Sequence, residues 1–228
     1  AVALCFPRRG DTPDLQYVSR RKRQRCLRDS VKSGKKRLIE YLIENLVAAG
    51  VDEIVINYAH LGEQFPVALG TGERYGCRIT YSPENEGSLE SAGGIAQVLL
   101  FLGDEPFIVV NGDILTDYDF SNLAKYSLQQ NCDCHLVMVN NPEHNADGDF
   151  ALAENGCVML SGNKKFTFSG MGLYHPRLFK HLQVERKALK PIFEKVIQDN
   201  RMTGELYKGQ WSDIGTLERL TALEKELS

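Results

Sequence analysis

Along most of this chain apolar positions fall in two alternating rhythms. In "RLIEYLIENLVAAG" the residues Leu38, Ile39, Leu42, Ile43, Leu46 and Val47 recur at helical spacing, and Gly50 stands where a helix stops. "DEIVINYA" then reads as a short buried strand, "LGEQFPVAL" as a helix and "CRITYS" as a strand. "SAGGIAQVLLFLG" predicts a helix opened by glycines and closed at Gly103, followed by the strand "FIVVN", a helix around "SNLAKYSLQQ" and the strand "CHLVMVN". After Asn140 the rhythm changes. "GDFALAENGCVML" predicts a hairpin turning at Asn155-Gly156, and "KFTFSGMGLYH" a further strand. Helices near "RLFKHL" and "LKPIFEKVIQDN", a strand at "GELYKG" and a closing helix "TLERLTALEKEL" complete the series.

Buried strands alternating with amphipathic helices predict an α/β fold: a Rossmann-like, mostly parallel sheet with helices on both faces and a small β-rich lobe. The first 36 residues break this pattern. "VSRRKRQRCLRDSVKSGKKR" is densely basic without a period, which reads as a solvated arm or as a patch for phosphate or nucleic acid. Only "AVALCF" at the start has the look of a strand, with "PRRGD" as a loop after it. The expected organisation is an atypical basic segment over 1–36 and one domain over 37–228.

Composition adds limits rather than detail. At 228 residues, 43% hydrophobic and 25% charged, the chain can bury one sizeable core. A net charge of -3 does not advertise a nucleic-acid or membrane partner, and no apolar run has the length of a membrane span. The six cysteines form no CxxC pair and no Cys-His metal spacing, as expected of free thiols in a reducing cytoplasm. The five histidines likewise show no metal spacing and are expected in ordinary surface or core roles.

Candidate chemistry sits where strands end. "FIVVNGD" drives a buried strand straight into Asp113, and ligands of open α/β sheets bind beyond the carboxyl ends of strands. A buried Asp needs compensation, by a hard metal ion or by capping the next loop in an Asx-turn. "GQWSDIGTLERL" supplies a second acid, Asp213, before Thr216, a candidate helix N-cap. In "PENEGSLESAGGIAQ", Gly87, Gly93 and Gly94 would let backbone approach a ligand, and the helix start that follows would favour an anion. Alone, such a turn is equally a tight connection.

Taken in order, "LIEYLIENLVAAGVDEIVIN", "YSPENEGSLESAGGI", "FIVVNGDILTDYDF", "NPEHNADGDFAL", "FTFSGMGLYHP" and "WSDIGTLERL" resemble the sugar-1-phosphate nucleotidyltransferases over roughly residues 34 to 228. "DGDFAL" with "FTFSG" and "GQWSDIGTLERL" resembles the narrower group that transfers a uridylyl group to N-acetylmuramic acid 1-phosphate in cell-wall sugar recycling. The resemblance implies that a sugar 1-phosphate attacks the α-phosphorus of a nucleoside triphosphate, UTP by this likeness, and releases pyrophosphate. It implies Asp113 and Asp213 as the catalytic pair holding Mg2+, and Glu84 with the backbone around Ser88 and Ser91 as readers of the base. Gly93 and Gly94 would leave room for the nucleotide, and Asn111 and Gly112 would lie near its ribose. Asp149, Ser169 and Gly170 would face the sugar; on the residues alone, Asp149 is equally a turn residue and Ser169 a locally bonded strand hydroxyl.

One region departs from the resemblance. The family opens with a strand, a Gly-rich phosphate loop followed by Arg, and a Pro-Lys-Pro segment; this chain has "AVALCFPRRGDTPDLQYVSRRKRQRCLRDSVKSGKKR" there, without Pro-Lys-Pro. Family-like text begins near Gly34, so a shifted reading frame or altered start is an expectation for the residues before it. The alternatives are transfer to glucose or mannose 1-phosphate, and a catalytically silent nucleotide- or sugar-binding protein. The expected setting is cytoplasmic, with no nucleic-acid or membrane partner. Oligomeric state is left open, with a monomer as the favoured expectation.

Overall fold

The computed structural model describes residues 37–59, 64–84 and 89–214, together with the backbone strands at 2–7 and 16–19. The elements follow in the order β1 (Val2–Pro7), β2 (Gln16–Ser19), α1 (Leu38–Ala48), β3 (Val51–Tyr58), α2 (Gln64–Leu69), β4 (Arg78–Pro83) and α3 (Glu90–Val98). Then come β5 (Phe107–Asn111), β6 (Ile114–Thr116), α4 (Ser121–Ala124), β7 (Cys134–Val139), β8 (Phe150–Leu152), β9 (Val158–Met159) and β10 (Lys165–Tyr174). The described part closes with α5 (Lys190–Gln198), β11 (Met202–Tyr207) and β12 (Trp211–Asp213). Short 3-10 turns lie at Glu73–Tyr75, Leu99–Phe101, Glu143–Asn145 and Pro176–Leu178. The expected closing helix and the phosphate-loop region lie outside the described residues.

The central sheet runs β11-β7-β10-β5-β1-β2-β3-β4. It is mixed rather than mostly parallel. β3 pairs β4 and β7 pairs β11 in parallel, whereas β10 runs antiparallel to both its neighbours, β5 and β7. Hydrophobic pattern cannot show this, because a strand buried on both faces reads the same in either direction. β1 pairs β3 and β5 antiparallel and β2 pairs them in parallel, so both segments join the sheet between them. The small lobe is a hairpin of β8 and β9 that extends from the first half of β10. It turns at Gly156, whose φ of 81° is the left-handed backbone that glycine accepts most readily.

The core forms from the residues the pattern selects. Phe107 to Val110 and all of β7 are buried, as continuous apolar runs covered on both faces should be. α1 buries Leu38, Ile39, Leu42, Ile43 and Leu46 and packs against β3 and β6. Tyr174 stacks on Phe193 of α5 and sits beside Phe107 and Phe179. Two expected helices shrink: "SNLAKYSLQQ" keeps only α4, and "RLFKHL" becomes the 3-10 turn Pro176–Leu178.

α1 is also fastened by a buried carboxylate. Glu40 Oε2 accepts the Arg37 amide at 2.8 Å, and Oε1 accepts from Arg74 at 2.8 Å and from the Tyr75 hydroxyl at 2.7 Å. Burial pushes this carboxyl up, but the Tyr75 and Arg37 hydrogen bonds and the Arg74 charge together hold it below its ordinary value. A carboxylate depressed in the fold contributes stability above its unfolded pKa and loses it as pH falls through the folded value. The expected result is that Glu40→Gln lowers Tm at neutral pH, with the deficit closing as pH drops below 4.5, the ordinary value. Melting both proteins across that range checks it; a deficit independent of pH would contradict the charged role.

Candidate functional site

The site is organised by a two-stranded ribbon beside the main sheet. β5 ends at Asn111, the chain turns through Gly112 and Asp113, and β6 leaves to pair antiparallel with β12. The register sets Asp213 opposite Ile114, and the Ile214 amide donates to the Asp113 carbonyl at 2.8 Å. Two acids a hundred positions apart in sequence are thereby placed side by side in backbone. Asp113 is buried and Asp213 is half-buried.

Several contacts hold this ribbon in place. Thr116 Oγ1 donates to the Gln210 carbonyl at 2.8 Å, and the Tyr207 hydroxyl bonds Asp117, so the connection from β11 to β12 is tied to β6. Trp211 Nε1 donates to the Ser169 carbonyl at 3.0 Å, linking β12 to β10. Ser169 and Gly170 lie where the pairing of β10 with β7 shifts register between Phe168 and Met171. Ser169 closes that irregularity: its hydroxyl donates to the Val137 carbonyl at 2.6 Å and accepts the Met171 amide at 3.1 Å. Gly170 has a φ of 81°, and a Cβ there would stand 2.5 Å from Asn111 Nδ2 and 2.8 Å from Ile114 Cδ1. Only glycine lets β10 pass this close to the end of β5.

On the lobe side, Asp149 Oδ2 accepts the Phe168 amide at 2.8 Å and Asn145 Nδ2 at 3.2 Å. Asn145 also reaches Thr167, whose hydroxyl donates to Asn141. Asp149 is thus part of a polar network that fixes the 3-10 turn Glu143–Asn145 against β10.

On the other side of β5, Glu84 follows β4 and is buried. Its Oε2 accepts the Leu89 amide at 2.8 Å and its own amide donates to Tyr58. Asn57, near the end of β3, donates from Nδ2 to the Gly94 carbonyl at 2.6 Å, while its buried Oδ1 has no partner among the described residues. A Cβ on Gly94 would stand 2.9 Å from both Asn57 Nδ2 and Glu84 Oε1, so this glycine brings α3 down onto the ends of β3 and β4. Gly93 faces another side, against the Glu185 carbonyl. The amides of Ala92 and Gly93 donate to the Lys187 carbonyl, so the start of α3 is already engaged by the chain's own backbone. Ser91 lies half-buried in the first turn of α3, and Gly112 half-buried in the turn before Asp113; Ser88 and Gly87 lie outside the described residues.

Among the described residues, no three His, Cys, Asp or Glu side chains stand where they could hold a metal ion by themselves. Two carboxylates carried on paired backbone would still suit a hard divalent cation that keeps most of its coordination for water and phosphate oxygens, the habit of Mg2+.

The histidines divide. His135 is a core residue stacked on Tyr126, its Nδ1 at 2.9 Å from Thr203 Oγ1, and burial lowers its pKa to about 4. His175 accepts the Arg177 amide at the head of its 3-10 turn. His144 is different. Its Nε2 lies 3.8 Å from Asp213 Oδ2. Neither Asn57 nor His144 was marked by the sequence, since each meets the site only through strand pairing distant from it.

The nucleotidyl transferase family description matches residues 24–159. The chain is 46% identical over 190 residues to N-acetylmuramate alpha-1-phosphate uridylyltransferase of Neisseria meningitidis, covering 81% of this chain and 82% of that one. This chain belongs to the nucleotidyl transferase family. More distant members include a mannose-1-phosphate guanyltransferase of Hypocrea jecorina, 29% identical, and the guanylyltransferase catalytic subunit beta of Drosophila melanogaster, 25% identical. This chain spans about half their length, 52% and 53%. In three dimensions it is similar to a Bacillus anthracis structure described as a glucose-1-phosphate thymidylyltransferase, with a TM-score of 0.70 and 19% identity over 86% of this chain and 85% of that one. HddC of Yersinia pseudotuberculosis is similar at a TM-score of 0.69 and 17% identity, over 85% and 86% of the two chains. These two likenesses establish the fold, the expected α/β nucleotidyltransferase architecture, here on a mixed sheet where a mostly parallel one was expected.

Proposed function

We propose that this chain transfers a uridylyl group from UTP to N-acetylmuramic acid 1-phosphate, releasing pyrophosphate, with Mg2+ held by Asp113 and Asp213. The observation that carries the chemistry is the β6–β12 ribbon, which sets these two acids side by side at the end of the central strand β5. The identity to the Neisseria meningitidis uridylyltransferase supports the choice of nucleotide and sugar over the guanylyl and mannose pair of the more distant relatives.

In such a transfer a phosphate oxygen of the sugar attacks the α-phosphorus while the bond from that phosphorus to the pyrophosphate oxygen breaks. No covalent help from protein is needed; what counts is alignment and the handling of negative charge. Mg2+ supplies charge neutralisation on the reacting phosphates when bound. The protein's own part is to hold Asp113 and Asp213 rigid through the ribbon, and to keep a nucleotide against the ends of β3, β4 and β5. Glu84 and Ser91 there read the base, a task Ser88 shares, Gly94 shapes the floor, and Asn111 and Gly112 border the ribose. The orphaned Oδ1 of Asn57 and the close approach at Gly94 support a binding role for this corner. Asp149, Ser169 and Gly170 shape the sugar side, Ser169 and Gly170 through backbone geometry. Free thiols at Cys77, Cys132, Cys134 and Cys157 fit a reducing, cytoplasmic setting.

The test is pyrophosphate release by the full chain with UTP, Mg2+ and N-acetylmuramic acid 1-phosphate, run beside GTP, dTTP, glucose 1-phosphate and mannose 1-phosphate. Selective turnover of the first set is the expected result. Equal or better turnover of another pair would replace the substrates, and nucleotide binding without any product would make the chain a binding protein.

A further inference from the structure

The acceptor's phosphate must come close to two carboxylates, Asp113 and Asp213, so a hydrogen-bond donor directed at it has electrostatic work to do beyond that of a metal ion. His144 is placed for this. Its Nε2 lies 3.8 Å from Asp213 Oδ2, next to the acid yet beyond hydrogen-bond reach of that oxygen. Among the described residues neither ring nitrogen of His144 makes a hydrogen bond, unlike His135 and His175, each of which has one engaged. The ring is half-exposed, at 37% of its full accessibility, so a ligand can reach it.

Its backbone, by contrast, is fixed. The Asn145 amide bonds the Pro142 carbonyl at 2.9 Å, the Gly148 amide bonds the Asn145 carbonyl at 3.1 Å, and Asn141 Nδ2 bonds the Ala146 carbonyl at 2.9 Å. The Asn145 side chain is anchored to Asp149 and Thr167. A turn this well tied, carrying a side chain that makes no hydrogen bond among the described residues, is built to present that side chain. We propose that His144 is a substrate-binding residue whose Nε2–H donates to the phosphate of the acceptor sugar 1-phosphate and positions it beside Asp213. This rests on the proposed function and names what the lobe side of that site contributes to it. A neutral imidazole suffices in the tautomer that carries its hydrogen on Nε2.

The experiment is calorimetry on the full chain, titrating N-acetylmuramic acid 1-phosphate, free N-acetylmuramic acid and UTP separately in Mg2+, with Mn2+ affinity followed by electron paramagnetic resonance. The parent is compared with His144→Phe and His144→Gln. Losing a hydrogen bond to a charged group should weaken sugar 1-phosphate binding about tenfold in His144→Phe. His144→Gln, which keeps an N–H donor, should recover part of the loss, while UTP and Mn2+ affinities stay within about twofold of the parent. Unchanged sugar 1-phosphate binding in His144→Phe would overturn the assignment. So would a parallel loss of Mn2+ affinity, which would make the residue a support for Asp213, or an equal loss for the free sugar, which would move its contact to the ring. A parent that binds no sugar 1-phosphate overturns the proposed function itself, and this role falls with it.

Discussion

Replacing Asp113 by asparagine is expected to lower turnover about a thousandfold or more, equivalent to roughly 4 kcal/mol of transition-state stabilisation, without unfolding the chain. The separation of the two effects follows from how the residue is used. Its carbonyl accepts the Ile214 amide and so maintains the ribbon, a bond that asparagine preserves. The residue is 5% exposed at the end of β5, where asparagine keeps the shape of the side chain and removes its charge. Metal-free Asp113→Asn should therefore remain folded. What it should lose is the rise in Tm that Mg2+ gives the parent, because binding to the native state alone is what produces such a rise. The parent and variant melts with and without Mg2+, beside a pyrophosphate-release assay, decide the matter. A variant that retains both turnover and the Mg2+-dependent rise would remove Asp113 from the metal site.

The largest stability effect is expected away from the chemistry, at Asp133. This carboxylate is 2% exposed and receives Arg177 Nε at 2.6 Å and Arg201 Nη1 at 2.7 Å. Its amide donates to the Arg201 carbonyl and its carbonyl accepts the His175 amide, both at 2.8 Å. One residue thereby joins the start of β7, the end of β10 and the approach to β11. Asp133→Ala leaves two partly exposed guanidinium groups without the buried carboxylate that joins them, and losing two charge-assisted hydrogen bonds costs about 3 kcal/mol. For a chain of this size that corresponds to a fall in Tm of roughly 6 to 12 °C. Thermal unfolding monitored by circular dichroism reads it directly. A fall under about 2 °C would place the pair among exposed salt bridges, whose contribution is small.

These two residues also show how far the sequence could be read. Asp113 was legible because the buried run Phe107 to Val110 ends in it, and a carboxylate at the tip of a core strand needs a reason. Asp133 was not, because "CDCHLVMVN" contains nothing to distinguish a paired buried acid from a loop residue before a strand. His144 illustrates the same limit. It stands in a short turn with no metal-like spacing, and its meeting with Asp213 depends on the pairing of β12 with β6 and on the anchoring of Asn145 to β10. Gly93 and Gly94 were both expected to make room for a nucleotide. The structure sets Gly94 against Asn57 and Glu84, and Gly93 against the Glu185 carbonyl, because consecutive helical positions point about a quarter-turn apart.

Local pattern was enough to determine the elements: the helix face of α1, the buried strands β3, β5 and β7, the hairpin turn at Gly156, and the acids at strand ends. These follow from the 3.6 and 2.0 periods of side chains and from the conformational freedom of glycine, properties held within a few residues. Strand direction and encounter were decided only in the tertiary structure. That β10 runs antiparallel between β5 and β7, and that Asp213 comes to lie beside Asp113 with His144 close by, depends on contacts spanning up to about a hundred positions. A residue's own neighbours in sequence do not encode which distant strand will supply its hydrogen bonds. That choice belongs to the whole sheet, where every buried amide and carbonyl must find a partner at once.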